Sequence, residues 1–89
     1  MTAYEIEVIE NEIISRLDNK ETVYIESGAA NDVITSYSVQ EFQNQYQEYD
    51  GREVSFFTTA CIFPKKIVLS YYENIELEEF RGELFVQVY

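Results

Sequence analysis

The chain has 89 residues, a length that predicts one domain, residues 1–89, with a single hydrophobic core. Seventeen acidic residues against six basic ones give a formal net charge of -11, and histidine is absent, which argues against histidine-based catalysis and against nearly all zinc sites. The three glycines form no phosphate-binding loop. We therefore expect a protein that is not an enzyme and that has no cofactor and no metal.

The N-terminal segment is predicted to form a helix over residues 3–17. Thr2 and Glu5 have the spacing of a capping box, and apolar residues then recur at helical spacing. The outer side of this helix is expected to carry several glutamates, with Arg16 as their basic counterpart. An alternating strand over residues 4–8 is the alternative, and the cap and the length of the apolar stripe favour the helix.

Two short strands and a second helix are expected next. Residues 22–26 and 33–37 are predicted to pair as strands on either side of a loop over residues 27–32. A helix is then predicted over residues 39–49, because Ser38 and Glu41 repeat the capping-box spacing and Gly51 suits a helix end. Its apolar stripe consists of Val39, Phe42, Tyr46 and Tyr49.

The most apolar stretch, residues 54–72, is predicted to be a central hairpin with its turn at Phe63-Pro64-Lys65-Lys66. Both alternating sets of side chains in its first strand are bulky, so we expect that strand to lie in mid-sheet, covered on both sides. The lone cysteine, Cys61, lies in this strand and is expected to be buried and inert.

A last hairpin is predicted to join residues 75–80 and 83–89 around Arg81-Gly82. Its register leaves Glu76 and Glu78 on the face opposite the apolar one. The expected pairs are Ile75 with Val88, Leu77 with Val86 and Glu79 with Leu84. A short helix over residues 75–80, capped by Asn74, is the alternative.

These elements predict an α+β fold, an antiparallel β-sheet with two α-helices packed against it. The N-terminus lacks a basic region followed by an apolar run, and no stretch approaches the ~20 apolar residues of a membrane span. We therefore expect a cytoplasmic protein.

The acidic residues near the C-terminus fit neither a glycosidase site nor a calcium loop well. A glycosidase needs two carboxylates across a deep cleft, which a chain of this size has little room to build. A calcium loop needs aspartate, asparagine and glycine around the ion, and this cluster contains only glutamate. Direct nucleic-acid binding is opposed by the sign of the net charge. The cluster consists of Glu73, Glu76, Glu78, Glu79 and Glu83.

The amount of acid suggests a basic partner. A compact chain of this length has a diameter of about 31 Å, and duplex DNA of that length carries about eighteen phosphate charges. Seventeen carboxylates are of the same order, so the surface is predicted to compete with nucleic acid for a basic groove.

In its size, acidity and lack of catalytic residues the chain resembles the small phage-encoded anti-defence inhibitors: the anti-CRISPR proteins and the DNA-mimic antirestriction and uracil-glycosylase inhibitors. Its bias towards Asn, Ile, Lys, Glu and Tyr is similar to that of phages of low-GC hosts. The resemblance is one of type and rests on no shared motif. It implies a non-enzymatic inhibitor that binds a basic nucleic-acid-binding protein, a CRISPR-Cas effector or a restriction enzyme, and blocks its DNA or RNA site.

The expected partner-binding residues are acids that stand in for phosphates and tyrosines that anchor the interface. They are Glu5, Glu7, Glu10 and Glu12 on the first helix, Glu73, Glu76, Glu78 and Glu79 near the last hairpin, and Tyr71 and Tyr72, with Tyr46, Tyr49 and Tyr89 as further candidates. The alternatives are an immunity-type or structural interaction module whose acidity is incidental, and a small enzyme that uses carboxylates alone. A homodimer through the sheet edge after Glu83 is a further expectation.

Overall fold

A computed structural model of the chain describes residues 1–28, 30–59 and 65–89, and excludes the side chains of residues 30, 49, 50 and 65. The described part contains, in chain order, α1 (Ala3–Asp18), β1 (Val23–Ser27), β2 (Ala30–Gln43), β3 (Tyr49–Thr58), β4 (Lys65–Ile67), a 3-10 helix (Leu69–Tyr71), β5 (Ile75–Phe80) and β6 (Glu83–Val88).

The strands form one six-stranded sheet in the order β4-β3-β2-β1-β6-β5. The α+β class is confirmed. The expectation of a purely antiparallel sheet is wrong, because β1 and β6 pair in parallel while the other neighbours are antiparallel. The second predicted helix is also wrong, since the described part has only one α-helix.

Helix α1 begins at the predicted capping box. The Glu5 backbone N–H donates to Thr2 Oγ1 at 3.1 Å, and the Thr2 backbone N–H donates to Glu5 Oε1 at 3.4 Å. The helix ends at Asp18, one residue beyond the predicted end, and the strand alternative for its first residues is wrong. No helix in the described ranges has the length and apolarity needed to cross a membrane.

The core lies between α1 and one face of the sheet. Ile13 of the helix is fully buried there, together with alternate residues of the strands. The strand residues of the core are Val23, Ile25, Ile34, Val54, Phe56, Ile67, Ile75, Leu84, Val86 and Val88. The residues between them point to the other face, against which no helix of the described part packs.

Residues 39–49 form the end of β2, a turn and the start of β3 in place of a helix. The two residues of the expected cap are paired in the ladder, Ser38 opposite Ser55 and Glu41 opposite Arg52. The spacing of apolar residues satisfied the helical period, but residues 36–40 also alternate between polar and apolar types. Pairing with β3 favours this second pattern, because tertiary contacts override local propensity.

We call residues 38–55 the arm, because β2 and β3 pair there only with each other. Asn44 closes its tip by accepting from the backbone N–H groups of Tyr46 at 2.8 Å and Glu48 at 3.1 Å. The long β2 matches the longest dimension of the molecule, 45 Å. The radius of gyration is 13.7 Å, larger than the roughly 12 Å of a compact chain. The expected diameter is therefore wrong.

The first hairpin is tighter than predicted. Strands β1 and β2 pair as expected, but Ser27 already faces Ala30 in the register, so β2 begins three residues before Val33. Gly28, with φ of 60°, lies in this turn.

The central hairpin is confirmed as an antiparallel pair of β3 and β4, with Phe56 opposite Ile67. Strand β3 has neighbours on both sides, as expected, but it begins at Tyr49 and its partner β4 is short. One face of β3 is buried in the core, whereas Phe57 on the other face is only half-buried. Cys61 and the first two residues of the predicted turn, Phe63 and Pro64, lie outside the described residues.

The last hairpin has the predicted register at every predicted pair, and the alternative helix over residues 75–80 is wrong. Arg81 and Gly82 form its turn with φ of 53° and 79°. Strand β6 lies between β1 and β5, so the edge after Glu83 that we expected to be free for a homodimer is already paired. The free edge on this side of the sheet belongs to β5.

Candidate partner-binding surface

Arg16 forms ion pairs with two of the acids that were predicted to face a partner. Its Nε lies 2.9 Å from Glu12 Oε1, and its Nη2 lies 3.2 Å from Glu79 Oε2. A third carboxylate, Glu21, lies 3.6 Å from Nη1. The hydrogen bonds that Arg16 donates to Glu79 and Glu12, together with the nearby charge of Glu21, raise the pKa of Arg16. These negative charges are therefore partly neutralised within the chain.

Arg52 forms ion pairs with two more of the predicted acids. Its Nη2 lies 3.6 Å from Glu10 Oε1 and 4.0 Å from Glu7 Oε1, and it donates to Asn11 Oδ1 at 2.9 Å. Glu10 is only 7% exposed, and its burial raises the pKa of this carboxyl in spite of Arg52. The expectation that Glu10 lies on the outer side of the helix is therefore wrong. The sequence pattern did not identify Arg52, because the predicted helix over residues 39–49 left this residue in a connecting segment and not in a strand next to α1.

The remaining predicted acid of the helix, Glu5, binds Thr2 within the cap. Near the last hairpin, by contrast, Glu73, Glu76 and Glu78 are exposed, and no ion pair engages them within the described residues. Of the two predicted tyrosines, Tyr71 is 76% exposed, while Tyr72 packs against the core. Among the acids that were predicted to face a partner, those without an ion pair or a cap contact thus lie on and beside β5.

The face of the sheet that points away from α1 carries two of the predicted acids, Glu76 and Glu78, together with side chains that sequence reasoning did not select. We call it the open face. It carries Tyr24, Glu26, Val33, Phe57, Glu76, Glu78, Phe80, Glu83, Phe85 and Gln87, as the strand registers and the burial alternation place them. Aromatic and acidic side chains are therefore neighbours on one surface.

Two aromatic rings stack at the centre of the open face. Tyr24 and Phe85 lie opposite each other on β1 and β6, with ring centroids 4.8 Å apart and an interplanar angle of 14°. The Tyr24 hydroxyl donates to the Glu83 carboxylate, which raises the pKa of Tyr24. The stack gives a fixed aromatic platform, because both rings are held by paired backbone.

Beside this platform the open face has a shallow groove. Its lining combines two carboxylates, an aromatic floor and an amide: Glu26, Glu78, Phe80, Phe85 and Gln87. Gln87 Nε2 donates to Glu26 Oε2 at 3.3 Å. The Arg81 guanidinium lies 5.1 Å from the Phe80 ring centroid, so this ring already attracts a cation from its own chain.

The chemistry of the groove suits an arginine side chain. A guanidinium stacks on aromatic faces and binds carboxylates through its fork of N–H donors, whereas an ammonium offers only a point charge. An unpaired carboxylate such as Glu78, next to an aromatic ring such as Phe80, supplies both contacts. The groove therefore favours arginine over lysine.

The sequence held a signal for the open face. Tyr24 lies between Val23 and Ile25, and Phe85 between Leu84 and Val86, so both strands carry bulk on both alternating sets. That pattern is typical of strands covered on both faces. The second helix expected from the sequence would have covered the second face. Without that helix, the second set of bulky side chains is left at the surface.

Within residues 1–28, 30–59 and 65–89, no group of three or more histidine, cysteine, aspartate or glutamate side chains is arranged to hold a metal ion. Comparisons with protein-family models, with curated proteins and with solved structures find no match to this chain. The case for a function therefore rests on the geometry of the open face and on the charge of the chain.

Proposed function

We propose that this protein is a non-enzymatic, phage-encoded inhibitor that places its open face on a basic surface of a host defence protein that handles nucleic acid. The partner is a CRISPR-Cas effector or a restriction enzyme, and the contact blocks its DNA or RNA site. The groove between Glu78 and Phe80 carries the proposal, because it offers arginine a carboxylate and an aromatic ring together. Arginine-lined grooves are how such partners hold phosphate.

The distribution of charge favours a local contact over mimicry along the whole molecule. Duplex DNA as long as the 45 Å axis carries roughly 26 phosphates, more than the seventeen carboxylates of the chain. Several of these carboxylates are also held by Arg16 and Arg52. The net charge of -11 then steers the protein towards a basic partner, and the free acids on β5 make the contact.

Affinity capture with the full chain tests this proposal. Lysate from bacteria that express CRISPR-Cas and restriction systems is passed over the immobilised protein, and the bound nuclease is identified and assayed for DNA cleavage. We expect duplex DNA and raised salt to displace the nuclease, and we expect the free protein to inhibit its cleavage. A nuclease that stays bound through both treatments, or one whose cleavage is unaffected, contradicts the proposal.

A second candidate is an immunity-type or structural interaction module whose acidity is incidental. The position of β5 favours it, because charged residues such as Glu76, Glu78 and Glu79 protect an edge strand from pairing with other chains. In that case the aromatic platform makes the contact, and the affinity depends only weakly on salt. The salt dependence of the captured complex separates the two candidates.

A further inference from the structure

The arm has a free strand edge that differs from every other free edge of the described sheet. Beyond Ile34, β2 has no partner on the side of β1, so residues 36–43 are hydrogen-bonded to β3 alone. The backbone groups that point away from β3 make no backbone hydrogen bond in the described part of the chain. This free stretch exceeds the usual strand length of about 5–6 residues.

The other free edges carry charges that oppose strand addition, and the β2 edge does not. Strand β5 carries three glutamates, and the free part of β3 carries Arg52 and Glu53. From Ser36 to Gln47 the only charged residue is Glu41. Natural sheets protect their edges with charge, so an edge with a single charged residue is an exception on an otherwise acidic protein.

Apolar side chains lie on both faces of this edge. Val39 is 41% exposed and Phe42 is 43% exposed, and Tyr46 at the tip is 74% exposed. The register puts Val39 on the side of α1 and Phe42 on the side of the open face. A strand added at the edge would cover both, because side chains of adjacent strands pair on each face.

We infer that residues 36–43 of β2 pair, antiparallel, with the same residues of a second copy of this chain. Antiparallel pairing of a strand with its own copy satisfies a two-fold axis. Of the possible two-fold registers, only the one centred on Glu41 sets two carboxylates opposite each other. Since two chains with a net charge of -11 repel each other elsewhere, the β2 edge, where Glu41 is the only charged residue from Ser36 to Gln47, is the surface through which two copies can approach.

This dimer should respond to salt in the opposite sense from the binding of a basic partner. Salt screens the repulsion between two acidic copies, with a Debye length that falls from about 10 Å at 0.1 M to about 3 Å at 1 M. The main-chain hydrogen bonds of a shared edge depend far less on salt. The dimer dissociation constant should therefore fall several-fold as salt rises, while the complex with a basic partner weakens.

Sedimentation velocity of the full chain over this range of salt tests the inference, with matched serine variants. Ser38→Glu adds a charge at the exposed edge, and Ser15→Glu adds the same charge at an exposed position on α1. We expect Ser38→Glu to raise the dimer dissociation constant at least tenfold and Ser15→Glu to change it much less. Circular dichroism checks that each variant keeps its fold.

A charge-swap experiment then tests the register. When residues 36–43 pair with the same residues of a second copy, Ser38 of each copy lies opposite Glu41 of the other. Ser38→Lys should therefore strengthen the dimer, and it should do so more than Ser15→Lys, which adds the same charge on α1. A chain that is monomeric at every salt concentration overturns the inference. Equal dimerisation of the Ser38→Glu and Ser15→Glu variants overturns it too, as does a Ser38→Lys variant that dimerises more weakly than the wild type.

Discussion

Arg16 Nη2 lies 3.2 Å from Glu79 Oε2, and this contact joins the last turn of α1 to the edge strand β5. Glu12 and Glu21 lie around the same guanidinium. Arg16 therefore reduces the repulsion among three carboxylates where helix, loop and sheet meet.

Replacing Arg16 should destabilise the fold more than replacing any one of its partners. In Arg16→Met the three carboxylates lose their shared cation, so we expect a lower melting temperature, most clearly at low salt, where their repulsion is least screened. Glu79→Gln should have a smaller effect, and the double variant should show coupling between the two sites. Thermal unfolding measures this cycle, and additive effects would contradict the bridge.

Glu10 should make stability depend on pH in the unusual direction for a carboxylate. Burial raises its pKa above the ordinary value of 4.5, although Arg52 opposes the change. The folded chain therefore holds the Glu10 proton more tightly than the unfolded chain, and this contribution to stability falls as the pH rises from 4.5 through the raised value.

Denaturant unfolding of Glu10→Gln across that range of pH measures the effect. We expect the stability of the wild type to approach or exceed that of the variant at low pH and to fall relative to it as the pH rises. Glu73→Gln, which removes one exposed charge away from Arg52, is the control. A constant difference between Glu10→Gln and the wild type would show that burial of Glu10 does not control the titration.

The core between α1 and the sheet should be sensitive to the loss of one side chain. Ile13 is fully buried, whereas Val8 on the same helix is 51% exposed. Ile13→Ala should cost about 2–5 kcal/mol of unfolding free energy, a large part of the total for a domain of this size. Val8→Ala is the matched control and should cost much less. If chemical denaturation showed similar losses of unfolding free energy for the two variants, the assignment of the Ile13 face of α1 to the core would be contradicted.

The groove should prefer arginine to lysine. An oligoarginine peptide and an oligolysine peptide of equal length carry the same charge, but only the guanidinium stacks well on Phe80 and Phe85 while it binds Glu78. We expect calorimetry to show tighter binding of oligoarginine, and Phe80→Ser should remove most of the difference. Equal affinities for the two peptides would indicate attraction by net charge alone.

The sequence predicted those elements whose local signals agree with their packing. The box of Thr2 and Glu5 fixed the start of α1, and the turn at Arg81-Gly82 fixed the register of the last hairpin, because both signals act within a few residues. The fold class and the strand pairing of β1 with β2 followed for the same reason.

The features that failed depend on contacts between distant residues. Ser38 and Glu41 have the spacing of a helix cap, and only the ladder with Ser55 and Arg52 makes that segment a strand. The parallel pairing of β1 with β6 likewise joins the two halves of the chain. Because residues 39–49 form strands and a turn in place of a helix, Arg52 pairs with acids of α1 and no second helix covers the open face. The candidate site therefore lies on the sheet and not on α1.

The most direct test of the central claim compares two charge variants as ligands of the captured defence nuclease, across a range of salt. Glu76→Gln/Glu78→Gln removes two charges from the open face, and Glu7→Gln/Glu48→Gln removes two exposed charges from outside it. We expect the first variant to lose at least tenfold in affinity and to show a smaller salt dependence, while the second stays close to the wild type. Equal losses for the two variants, or none, would contradict binding through the open face.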